Sequence, residues 1–157
     1  MAATYRIPDE PIGGETRGWI IEPFWPLLAT MLAGAWLGAA LFAVNAWFLR
    51  GPHWQREIAL CAAMLIGAGA LQVLAAGAGE AGLISQGAVE YALLSVIAWK
   101  LCTAYWLFFL QQNGFALYQY FGGKVQNGLP VVLIGSIFLD RWVINAIDHP
   151  LWKAMVS

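Results

Sequence analysis

The sequence predicts an all-α integral membrane protein in which four transmembrane helices form a bundle. Hydrophobic residues make up 61% of the 157-residue chain and charged residues only 11%, whereas a water-soluble domain carries about 25% charged residues. Four apolar runs are each close to the roughly 20 residues that cross a 30 Å hydrocarbon core. No run alternates apolar and polar residues as barrel strands do, so helices are the remaining way to satisfy the backbone in lipid.

The chain begins with a polar tail, which we expect to precede a single membrane domain. Residues 1–22 contain Pro8, Pro11 and several acidic residues. The first apolar run is too long and begins too late for a secretory signal peptide. We therefore expect a tail over residues 1–22 and a four-helix domain over residues 23–157.

Each apolar run ends at residues that stop helices. The first ends at Arg50-Gly51-Pro52, the second at the glycine-rich residues 77–82, and the fourth at Asp148-His149-Pro150. The predicted spans are residues 23–49, 57–76, 83–110 and 129–147.

The segment from Gln111 to Lys124 allows two interpretations. It is too polar to span a membrane and is rich in aromatic residues. It could lie in the membrane interface between the third and fourth helices. Alternatively, the third helix extends beyond the membrane.

Four spans would place both termini and the loop near residue 80 on one face of the membrane. The loops near residues 53 and 120 would share the other face. The numbers of lysines and arginines on the two faces are nearly equal. If Arg141 is counted, the first face has one more, and this excess favours cytoplasmic termini. The high content of Ala, Gly and Trp suggests a bacterial cytoplasmic membrane. The lysines and arginines counted are Arg6, Arg17 and Lys153 on the first face, and Arg50, Arg56 and Lys124 on the second.

Four ionisable residues at membrane depth are the first candidate functional group. Glu90 and Lys100 lie in the third run, and Asp140 and Arg141 in the fourth. An unpaired charge there costs at least about 2.5–3.5 kcal/mol. Antiparallel packing would let Lys100 reach Asp140 and Arg141 reach Glu90. The set could lock two helices in register, face a partner subunit, or line a pathway; Arg141 could also extend to the interface without a partner.

Small residues and amides indicate where helices pack. Gly34 and Gly38 form a GxxxG pattern and Gly67 lies in a small-residue face of the second run. Such residues let helix backbones approach closely. Three amides within the spans can bond to neighbouring helices for about 0.6–2 kcal/mol each. They are Asn45, Gln72 and Gln86.

Motifs for several function classes are absent from the sequence. The net charge of −1 gives no basic field for nucleic acid. His53 and His149 both stand beside prolines in loops, and no metalloprotease, serine hydrolase or phosphate-binding motif is present. Cys61 and Cys102 lie in apolar runs without a zinc spacing. We therefore expect no metal, no cofactor and no catalytic residues.

Three hypotheses of function remain at this stage. The leading one is a non-enzymatic membrane subunit: an accessory or assembly component of a complex, or a homo-oligomeric scaffold, surrounded by lipid. The second is a small oligomeric channel or transporter that uses Glu90, Lys100 and Asp140. The third is an enzyme or a membrane-disrupting effector controlled by a partner protein.

Overall fold

A computed structural model describes residues 19–83, 85–139, 143 and 145, and shows an all-helical fold. This confirms that the fold is all-α. Among these residues no strand forms; the only β-type contact is an isolated bridge between Ile21 and Gln126. The helices are α1 (Phe24–Leu32), α2 (Ala35–Leu49), α3 (Trp54–Glu80), α4 (Gln86–Tyr120) and α5 (Leu129–Ile134), and α5 continues as a π-helical turn, Gly135–Leu139.

Two of these helices, α3 and α4, are long and apolar enough to cross a membrane by length and composition. They correspond to the second and third predicted spans. Helix α3 extends beyond its predicted span at both ends, and α4 extends beyond its predicted span at the C-terminal end. Only 28% and 22% of their most apolar stretches is buried within the chain. Fewer than a third of the residues in each of these stretches are therefore buried within the chain.

The prediction of one continuous helix over residues 23–49 is wrong, because the run folds into a hairpin of α1 and α2. Gly34 has φ 87° and ψ 176°, a backbone region that is essentially restricted to glycine. It stops α1 and turns the chain back. Asn45 in α2 then bonds the backbone of Ile21, just before α1.

Helices α3 and α4 form an antiparallel hairpin with a constant register. Gly79 lies against Val89, and Gly67 lies against the Trp99 indole. Glu57 meets Gln111 near the opposite end. The register fixes which residues of α3 and α4 lie at the same level.

The shorter helices cover only one half of this hairpin. Because α2 packs against α3 after a four-residue loop, its 15 residues run beside α3 for about 22 Å, roughly as far as Ala68. Helix α5 packs along α1, with Gly128 against Trp25 and Val132 in a cluster with Ala29. We call the end formed by residues 19–22, 50–53 and 121–128 the near end, and the turn at residues 81–85 the far end. The near half extends from the near end to the level of Ala68, and the far half is the remainder.

The main hydrophobic core lies in the near half, where helices α1 to α4 meet. Three of its eight buried members are alanines, which let the helices approach closely. The buried members are Leu27, Ala35, Ala39, Phe42, Cys61, Met64, Ala104 and Leu107.

The segment between residues 111 and 124 is largely a continuation of α4. The helix runs unbroken to Tyr120 and turns at Gly122, whose φ is 78°. Phe115 is buried, and the Tyr118 hydroxyl donates to the carbonyl of Lys124 at 3.3 Å. The third predicted helix therefore continues ten residues beyond position 110.

Candidate functional site

A buried polar cluster joins three helices in the near half. Gln111 on α4 is 1% exposed and Glu57 on α3 is 7% exposed. The Gln111 Nε2 donates to Oε2 of Glu57 at 3.0 Å and to the carbonyl of Phe42 on α2 at 2.8 Å. One amide group therefore ties α4 to both α3 and α2.

The second part of the cluster is the fully buried Asn45, one turn after Phe42 on α2. Its Oδ1 accepts from the Ile21 N–H at 3.1 Å, and its Nδ2 donates to the Ile21 carbonyl at 2.8 Å. The side-chain amide thus bonds both backbone groups of Ile21, as a neighbouring strand would. The adjoining Ile20 carbonyl accepts from the N–H of Gln126 at 2.8 Å, so the start of α1, the end of α2 and the start of α5 are held together.

The cluster has one polar atom without a partner among the described residues. Oε1 of Gln111 is buried and accepts no hydrogen bond. An unsatisfied buried acceptor costs about 1–3 kcal/mol. The Glu57 carboxyl accepts a hydrogen bond from the Gln111 amide. The site therefore contains a titratable group in apolar surroundings.

The acidic, cysteine and histidine side chains of the described residues are dispersed rather than grouped. Within residues 19–83 and 85–139, no three His, Cys, Asp or Glu side chains are grouped so that they could hold a metal ion. Cys61 is buried in the core and Cys102 is exposed on α4, and both are free thiols. Within the part of the chain that the structure describes, neither cysteine is hydrogen-bonded to a histidine, the pairing that would make it a nucleophile.

The four predicted membrane charges are only partly described. Glu90 is exposed on the second turn of α4, and Lys100 is half-buried on the same helix. Because Trp99 packs on Gly67 and the two helices are antiparallel, Lys100 lies level with about Ile66. Asp140 and Arg141 lie outside the described residues, so their pairing with Lys100 and Glu90 stays a prediction.

The three predicted packing glycines have different positions. Gly34 lies in the turn between α1 and α2 rather than on a helix face, as its positive φ requires. At Gly38 an added Cβ would collide with Thr30 and approach the Pro26 carbonyl, so α1 and α2 are in close contact there. At Gly67 it would collide with Trp99, whose Nε1 donates to the Ala63 carbonyl at 3.3 Å.

The three predicted amides also differ. Asn45 is the bidentate partner of Ile21 described above. Gln72 is half-buried on α3 in the far half. Gln86 is the first residue of α4, directly after Ser85, whose hydroxyl accepts from the N–H of Ala88 at 3.3 Å.

Sequence reasoning missed Glu57 and Gln111 as a pair. Glu57 was placed at the boundary of a span and Gln111 in the polar segment after one, where polar groups cost little. A signal was present, because Glu57 lies 27 residues before position 84 and Gln111 lies 27 residues after it. Two residues equidistant from a tight turn face each other in an antiparallel hairpin.

No protein-family model, no curated protein and no solved structure matches the chain. Function therefore has to be argued from the residues and the fold alone.

Proposed function

We propose that the chain is a non-enzymatic integral membrane subunit. In this proposal α3 and α4 cross the bilayer, and the α1–α2 hairpin enters from the near end and returns to it. The charge-free stretch between Glu57 and Glu80 covers 22 residues of sequence, or about 33 Å of helix, which fits a hydrocarbon core of about 30 Å. Helices α1 and α2, at 9 and 15 residues, are too short to cross it.

A hairpin that turns inside a bilayer needs protein around its turn. Non-helical backbone at membrane depth is tolerated only where protein or a cavity surrounds it. Ala33 and Ala35, on either side of Gly34, are both buried. This burial supports a turn that lies inside the membrane but is shielded from lipid.

The observation that carries the subunit proposal is the exposed face of α3. One stripe of its exposed residues recurs at intervals of three and four, as in a helix-packing seam. Four of the six residues in this stripe are alanine or glycine, whereas the exposed face of α4 carries bulky side chains such as Tyr91, Leu94 and Phe109. Small residues allow the close backbone approach that drives helix association in lipid. The stripe consists of Ala59, Ala62, Ile66, Ala70, Val73 and Gly77, and the larger Leu74 is exposed beside it.

We infer from this contrast that α3 packs against a transmembrane helix of another subunit and that α4 faces lipid. The partner is either a second copy of the chain or a larger membrane protein. A bacterial cytoplasmic membrane fits the composition, which is rich in Ala, Gly and Trp.

The test is the mass of the intact particle, purified from its native membrane in gentle detergent. The proposal expects a particle heavier than one chain. Ala70→Trp, on the small face, should reduce it to a single chain, and Leu94→Trp, on the bulky face of α4, should leave the particle intact. A particle that has the mass of one chain before any substitution would contradict the proposal.

A second candidate function is transport through a cleft between protomers. It is favoured by the position of Lys100, which lies near the middle of the uncharged stretch of α3, and by the exposure of Glu90. An ionisable residue at mid-membrane depth usually marks an ion or substrate path. Glu90→Gln should then alter flux in proteoliposomes without changing particle size; liposomes of the intact particle that carry no flux would argue against transport.

A further inference from the structure

The basic side chains of the described residues are gathered at one end of the molecule. Apart from Lys100, all the described lysines and arginines lie at or beside the near end, and all of them are exposed: Arg50, Arg56 and Lys124. The far end has no lysine or arginine in residues 80–90 but has two exposed acids, Glu80 and Glu90. The molecule therefore has a charge asymmetry along its long axis.

The α1–α2 hairpin brings the start of the described chain to the same end. A continuous first span would have put Trp19 at the far end, whereas hydrogen bonds hold Ile20 and Ile21 at the near end. Trp19, Arg50 and Lys124 therefore share the near end, whereas a four-span topology would place Trp19 on the face opposite Arg50.

Aromatic side chains hold one of these cations at a defined level. The Arg50 guanidinium lies over the Trp47 ring, 5.4 Å from its centroid. Trp47 in turn contacts Trp54 edge to face, with centroids 5.5 Å apart. Exposed tryptophans favour the headgroup level of a bilayer, so this pair places Arg50 among lipid phosphates.

We propose that the near end is a binding surface for anionic lipid headgroups and that it faces the cytoplasm. Lysine and arginine near a span end set orientation, with the basic side retained inside, and acidic residues contribute little. The acids of the near end do not offset the cations, because Glu57 is buried and bonded to Gln111 and Glu22 is a single exposed charge. The inference rests on the membrane location proposed above.

The lipid arm of the test measures the lipids retained by protein reconstituted in equal parts phosphatidylglycerol and phosphatidylcholine, using native mass spectrometry. Phosphatidylglycerol should be enriched. In the triple variant Arg50→Gln, Arg56→Gln, Lys124→Gln, each lost cation should reduce the enrichment about fivefold. The matched variant Glu22→Gln, Glu80→Gln, Glu90→Gln should lose none. A basic-site variant that retains phosphatidylglycerol as well as the native chain would overturn the proposal.

The orientation arm labels single cysteines in intact cells with a membrane-impermeant maleimide, in a Cys61→Ser, Cys102→Ser background. Leu83→Cys should react in intact cells, and His53→Cys only after permeabilisation; the reverse pattern would overturn the proposal. Carbonate extraction of the membranes comes first. Release of the chain would contradict the membrane location itself, whereas retention with reversed labelling contradicts only the orientation.

Discussion

The near and far halves of the molecule are held together by different interactions. In the near half, four packed helices and the start of α5 enclose a polar cluster in which each side chain has named partners, such as Asn45 with Ile21. In the far half α3 packs on α4, as at Gly79 and Val89, and large apolar side chains such as Leu74, at 69% exposed, face outward. Buried hydrogen bonds are directional and fix one arrangement, whereas an exposed apolar face depends on whatever surrounds it. The near half therefore specifies the fold, whereas the exposed side chains of the far half contribute little to it.

The largest effect on stability is expected from Asn45→Leu. It removes the only described partner of the Ile21 N–H and carbonyl, and each buried unsatisfied group costs about 1–3 kcal/mol. The free energy of unfolding in detergent should fall by about 2–4 kcal/mol.

Gln72→Leu, the matching amide change in the far half, should alter that free energy by less than about 1 kcal/mol. Equal losses for the two variants would show that the halves do not differ in the way described.

The next effect is expected from Gln111→Leu, which leaves the Glu57 carboxyl buried without its amide donor. We expect a loss of about 1–3 kcal/mol. Adding Glu57→Leu should recover part of it, because replacing both partners with apolar groups can be nearly neutral.

A double-mutant cycle on unfolding free energies measures this coupling. If the double variant loses as much as the two single variants added together, the two side chains do not act as a pair.

A smaller effect, and a change of sign, is expected for two glycine-to-alanine substitutions. Gly38→Ala places a methyl group against Thr30 and near the Pro26 carbonyl, and overpacking of this kind costs about 1–3 kcal/mol. Gly77→Ala meets nothing within 4 Å and should stabilise α3 by about 0.5–1 kcal/mol. Thermal unfolding in detergent distinguishes the two, and a stabilising Gly38→Ala would disprove the close contact of α1 and α2.

The smallest effect on stability is expected from Leu74→Ala in the far half. Because the side chain is 69% exposed, its removal from the isolated chain should change unfolding free energy by no more than about 0.5 kcal/mol. A loss of 2 kcal/mol or more, of the size given by a buried leucine, would mean that this face is covered within the chain.

The sequence predicted the helical class and the approximate positions of α3 and α4, because long apolar runs between polar turns have few alternatives. It did not predict the hairpin of α1 and α2. The run from Pro23 to Leu49 carries no charge, and a glycine within such a run is compatible with a continuous helix. Only the folded chain shows that Gly34 adopts a backbone conformation which a helix does not contain.

The candidate site was predicted less completely than the fold. Asn45 was identified as a polar group within a span, but its partner is a backbone segment rather than another helix. Glu57 and Gln111 were missed because the depth of a polar residue was judged along one run at a time. Their contact depends on the register between two helices, and one apolar run considered alone does not show that register.

The most direct test of this account asks on which side of the membrane Trp19 lies. Single cysteines at Trp19, His53 and Leu83, each in the Cys61→Ser, Cys102→Ser background, would be reacted with a membrane-impermeant maleimide in sealed vesicles of one orientation. The α1–α2 hairpin predicts that positions 19 and 53 react from one side and position 83 from the other. Reaction of positions 19 and 83 from the same side, with position 53 on the opposite side, would show a continuous first span and contradict the account.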